Sequence, residues 1–72
     1  MVRKDLLAEA IKASGLKKQH IAATLGLSAQ GLANKVDGIR AFKVEEVQTL
    51  AEMLGLSPDR RDEIFFAPDG DL

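Results

Sequence analysis

Apolar residues recur along this chain at the three-and-four spacing of helices buried on one side, and the breaks between such runs fall at glycine. Over residues 3–14, Leu6, Leu7, Ala10 and Ile11 form a stripe between Lys4, Glu9 and Lys12, closed by Ser14-Gly15, and Leu16 then turns inward. A second run begins at Lys18, places Ile21, Ala22 and Leu25 inside, and stops at Gly26. Ser28 restarts the pattern as an N-cap, with Leu32 and Val36 on the inner face and Asp37-Gly38 as the terminator. In the loop Ile39-Arg40-Ala41-Phe42-Lys43, Phe42 and Ile39 are expected as buried anchors. Val47, Leu50, Ala51 and Leu54 mark a fourth helix over 44–54, Gly55 caps it, and Leu56 returns to the core. Ser57-Pro58-Asp59 opens a fifth, with Ser as cap, Pro at the first position and an acid in the first turn. It reaches Ile64-Phe65-Phe66, an apolar arc too wide for one stripe, so one aromatic should remain exposed. No segment alternates as a strand does. The pattern predicts an all-α fold of five helices, with a domain over 1–66 and a tail, 67–72, of mobile composition.

Helices two and three are joined by only Gly26-Leu27-Ser28, too short a link to lay them side by side, so they are expected to cross steeply as a helix-turn-helix. The outward residues of the second of these helices have a consistent chemistry. Ala29, Gln30, Gly31, Ala33, Asn34 and Lys35 fall away from the Leu32/Val36 stripe, and Gln30 and Asn34, four apart, share one face. An amide offers a donor and an acceptor together, which suits the major-groove edge of adenine, and Lys35 can reach guanine or phosphate. The small residues permit close approach. Gly31 costs about 1 kcal/mol of helix propensity relative to Ala, which calls for such a reason.

At 72 residues with no cysteine, the chain has one core's worth of material and neither a disulfide framework nor a thiolate metal site. The lone His20, on the outer side of helix two, has no ligand partners at metal spacing and is expected in solvent. No apolar run approaches the roughly 18 residues of a membrane span, and the chain turns charged directly after Met1, so neither a span nor a signal peptide is expected; a cytoplasmic location is compatible with this, and binding to DNA would make it nucleoid-associated. The net charge of −1 conceals a polarity. Residues 1–43 carry eight basic and three acidic groups, whereas 44–72 carry two basic and eight acidic ones. Such a split gives one half a positive field able to meet phosphates. Lys17 and Lys18 open helix two, where the helix dipole disfavours cations and folding alone would prefer Ser or Asp. With Gln19 they are candidate phosphate contacts, and Arg40 and Lys43 in the loop after helix three can reach the backbone or a base edge.

Gly26-Leu-Ser28 as the turn, Asn34-Lys-Val-Asp-Gly38 after helix three, Leu50-Ala-Glu-Met-Leu-Gly-Leu-Ser57, Gly38-Ile-Arg-Ala-Phe42 and Asp62-Glu-Ile-Phe-Phe66 together resemble the lambda-repressor-like family, which includes phage Cro and repressor proteins and XRE-type regulators. The similarity covers roughly residues 16–66 and is strongest toward short Cro-like phage or prophage regulators. It implies a five-helix bundle whose third helix reads bases through Ala29, Gln30, Gly31 and Asn34, with Lys18 at a position where the family usually holds a phosphate-binding Gln. Asp37 departs from the family, whose commoner Asn binds phosphate there. The implied function is sequence-specific binding of double-stranded operator DNA by a homodimer, as a transcriptional repressor, with half-sites about 34 Å apart. Phe65 and Phe66 are the candidate dimer surface. No cofactor, metal, membrane or small-molecule partner is indicated, and no nucleophile–base pair, carboxylate dyad or phosphate loop suggests an enzyme. The alternative is a phage-type modulator that binds another regulator protein through the acidic residues Glu45, Glu46, Glu52, Asp62 and Glu63.

Overall fold

A computed structural model describes residues 2–66 and contains five helices and, among the described residues, no strand: α1 (Lys4–Ser14), α2 (Lys18–Leu25), α3 (Ala29–Val36), α4 (Val44–Leu54) and α5 (Pro58–Phe65). The expected tail lies outside the described residues. Each helix supplies the side chains its apolar spacing assigned to the interior. Leu7 and Ile11 of α1, Ile21 and Ala22 of α2, Leu32 of α3, Val47, Leu50 and Ala51 of α4, and Ile64 and Phe65 of α5 are buried. Leu6, Ala10, Leu16, Leu25, Val36, Leu54 and Leu56 pack partly buried against that core.

Gly-Leu-X corners link α1 to α2, α2 to α3 and α4 to α5, and their differences matter more than their likeness. At Gly26 (φ +73°) and Gly55 (φ +69°) the chain turns left-handed, a conformation that costs glycine nothing. At both, the glycine N–H and the following leucine N–H bond back to the last helical turn: Gly26 to Ala23 and Leu27 to Ala22, Gly55 to Glu52 and Leu56 to Ala51. The leucine plugs the core, and the next residue, Ser28 or Ser57, caps the new helix. Ser28 Oγ accepts from Gly31 N at 2.9 Å and Ser57 Oγ from Arg60 N at 3.1 Å. At Gly15-Leu16-Lys17 the third residue is lysine. Its backbone (φ −77°, ψ 141°) is nearly that of the two serines, yet its side chain makes no cap bond.

Two loop expectations need correction. Ile39 is not an anchor: it is 69% exposed, because the tight turn after α3, where Ile39 N and Arg40 N both bond Asn34 O at 2.9 and 3.2 Å, points the chain outward before Phe42 brings it back. Phe42 is half-buried, edge-on to Phe65 with ring centroids 5.4 Å apart and planes at 88°. Phe65 is thereby removed as a dimer residue. It is 3% exposed and belongs to the core, whereas Phe66, 54% exposed, is the aromatic left outside.

Candidate nucleic-acid interface

The serine cap leaves the first turn of α3 rigid, and Gly31 has a local reason to be there. A Cβ at residue 31 would stand 3.1 Å from the Ser28 oxygen that caps the helix, so the glycine keeps the cap unobstructed as well as the surface small. Ala29 and Gln30 are exposed, Gly31 and Asn34 half-buried. The two amides meet: Gln30 Nε2 donates to Asn34 Oδ1 at 3.0 Å, the contact expected of residues four apart on one face. Because Asn34 O also accepts from Arg40 N, the loop carrying Arg40 leaves from the same helical turn.

Lys17, Lys18, Gln19, Arg40 and Lys43 are all exposed. Lys18 and Lys12 flank a shallow groove, about 490 Å³, that also includes Val36, which brings the start of α2 alongside the end of α3. Lys12 was not singled out from sequence; it directly follows Ile11 of the α1 stripe, and nothing in that local position pointed to a neighbour on α2. Of the five helices, α2 alone has neither a capping side chain nor an acid in its first turn. Its first-turn N–H groups and two lysines thus present positive charge to solvent. Lys17→Ser should supply the missing cap and raise stability by about 1 kcal/mol, measurable as a higher denaturation midpoint.

Lys35 must be withdrawn from the DNA-contacting set. It lies three residues after Leu32, hence beside the inner stripe, and its ammonium is committed to Glu46 Oε1 at 2.6 Å, with the two side chains only 12% and 9% exposed. The same oxygen accepts from Lys43 N at 2.8 Å, so Glu46 at once caps α4 and ties it to α3. Burial raises the Glu46 pKa, but the Lys35 ammonium and the Lys43 N–H outweigh it and hold the carboxyl below its ordinary value. Among the described residues no buried side-chain polar atom lacks a partner.

The remaining ion pairs divide the cations. Arg3 pairs with Asp5, Arg60 with Glu63 and Arg61 with Asp62. Lys4, Lys12, Lys17, Lys18, Arg40 and Lys43, all from the first 43 residues, have no ion-pair partner among the described residues. The acidic set considered as a protein-docking surface loses one member. Only Glu46 is internal; Asp62 and Glu63 form exposed pairs with Arg61 and Arg60 and stay at the surface. His20 is exposed, and among the described residues no group of three His, Cys, Asp or Glu could hold a metal. No described helix is long and apolar enough to cross a membrane. The chain matches no protein-family model, no curated protein and no solved structure.

Proposed function

We propose that this protein is a sequence-specific double-stranded DNA-binding regulator, a transcriptional repressor of the Cro or XRE type, with α2 and α3 as its helix-turn-helix. The observation that carries the proposal is the sorting of charge: every cation without an ion-pair partner among the described residues comes from the α1–α3 half and its following loop, around one small-residue helix that exposes a hydrogen-bonded amide pair. Duplex DNA fits both features, with phosphates on the cations and a major-groove edge on the amides. In this arrangement α3 enters the major groove with Ala29, Gln30 and Gly31 toward the bases. Lys17, Lys18 and Gln19 at the start of α2, with Arg40 and Lys43 in the loop, grip the backbone on either side. The role is binding, without catalysis, in the cytoplasm of a bacterial cell.

Binding should weaken steeply with salt, the log–log slope falling by about 0.9 for every phosphate contacted. A fluorescence-anisotropy titration across salt concentrations tests this, and salt-insensitive binding would sink the proposal. One module of this size touches few bases, so two copies should share an operator. Among the described residues, Ile39, Val44 and Phe66 are the large apolar side chains left in solvent, and Phe66 is our candidate for the contact between copies. Phe66→Ser should therefore leave a monomer in sedimentation under conditions where the parent chain dimerises on DNA. A parent chain that sediments as a monomer at high concentration, both free and on DNA, would remove the dimer.

A further inference from the structure

We infer that Gln30 and Asn34 do not read two bases but act as one device, in which Asn34 aims the amide of Gln30 at a single adenine; this rests on the DNA-binding proposal above. Two asymmetries assign the roles. Gln30 is exposed, whereas Asn34 is half-buried, and the Asn34 backbone is pinned because its carbonyl accepts both Ile39 N and Arg40 N in the turn that closes α3. Asn34 is thus the fixed member, and the long, otherwise freely rotating Gln30 side chain is the member that gains an orientation from it.

Counting donors and acceptors gives the consequence. Gln30 Nε2 carries two hydrogens, of which one is donated to Asn34 Oδ1 at 3.0 Å. The other, together with the Gln30 Oε1 lone pairs, remains as a donor–acceptor fork. That fork matches adenine, whose N6 amino group donates to Oε1 and whose N7 accepts from Nε2. Asn34 is accordingly a positioning residue. Its Oδ1 need only be an acceptor at the right place, and its substitution should blur the base that Gln30 reads, leaving every other base pair of the site as before.

Two measurements test the arrangement. In the free protein, the side-chain amide resonances of Gln30 should show a protected, shifted proton that moves to the position of a solvated glutamine in Asn34→Ala. A Gln30 resonance indifferent to that change overturns the inference whatever DNA does. In selections from random duplexes, Gln30→Ala and Asn34→Ala should both lose preference at the same A·T pair, by about tenfold or more. The double variant should lose no more than Gln30→Ala does. Asn34→Asp keeps an oxygen acceptor for Gln30 and should keep the adenine preference at that position, while its added negative charge lowers affinity for all duplexes alike. Loss of preference at a second base pair in Asn34→Ala, additive with Gln30→Ala, would show that Asn34 reads a base of its own and would overturn the inference while leaving the DNA proposal standing. No selected motif with the parent chain, and no salt-dependent binding, would sink the DNA proposal and the base-reading role with it, the resonance experiment still reporting whether the pair forms.

Discussion

Lys35→Met is expected to cost about 3 kcal/mol of stability, because it removes one partner of a nearly buried ion pair and leaves the Glu46 carboxylate desolvated with only the Lys43 N–H to satisfy it. A domain of this length has on the order of 4–11 kcal/mol in hand, so the loss is a large share. At roughly 4–8 °C per kcal/mol the thermal midpoint should fall by 12 °C or more, read by circular dichroism. The pH dependence separates this cause from ordinary loss of packing. In the parent chain the folded Glu46 pKa lies below its unfolded value, so the native state holds fewer protons and the stabilisation is present at neutral pH. It is lost as pH falls from about 4.3 through the folded pKa. In Lys35→Met the Lys35 hydrogen bond and charge are gone while burial remains, so the Glu46 pKa rises relative to the parent chain and the stabilisation tied to its ionised form shrinks. The deficit relative to the parent chain should shrink as pH is lowered from 7. A deficit constant with pH would refute the account. Replacing both members, Lys35→Met with Glu46→Leu, should recover most of the stability, since neither charge is then buried alone.

Reversing charge at the start of α2, with Lys17→Glu and Lys18→Glu together, should reduce DNA affinity about a hundredfold and lower the salt slope by about 2. Each lysine is exposed, without an ion-pair partner among the described residues, and at the one helix N-terminus that has neither cap nor acid. The same double change should stabilise the fold, because two carboxylates then sit where the helix dipole favours them, each contributing a few tenths of a kcal/mol. Affinity and stability thus move in opposite directions, which no misfolded variant can imitate. Unchanged binding in a gel-shift titration, with the higher melting temperature present, would mean that α2 does not touch phosphate.

The Gly-Leu-X corners show why so much of the architecture could be read along the chain. A left-handed glycine, a plugging leucine and a capping serine are local devices, complete within about six residues, so Gly26-Leu27-Ser28 and Gly55-Leu56-Ser57 announce their corners without reference to anything distant. Lys17 in the same frame announces the departure from it. That Gln30 and Asn34 share a face was legible for a similar reason, since residues four apart on a helix are neighbours wherever the helix packs; that their amides bond each other came from the structure.

What the sequence by itself determined, then, is the set of five helices, their inner stripes, the serine caps of α3 and α5, the glycine terminators and the concentration of positive charge in the first 43 residues, because each follows from spacing or from the nearest few side chains. Only the tertiary structure decided which polar and aromatic side chains are spent inside. Lys35 sits at the edge of its stripe, and whether it faced water or Glu46, eleven residues away, depended on how α3 meets α4. Phe65 and Phe66 are adjacent and equally apolar, and it is Phe65 that joins the core and meets the Phe42 ring from the loop, while Phe66 stays outside. Ile39 was pushed into solvent by a turn whose hydrogen bonds converge on one carbonyl. Burial of such borderline positions is a property of two packed surfaces at once, and a pattern read along one strand of residues carries only one of them.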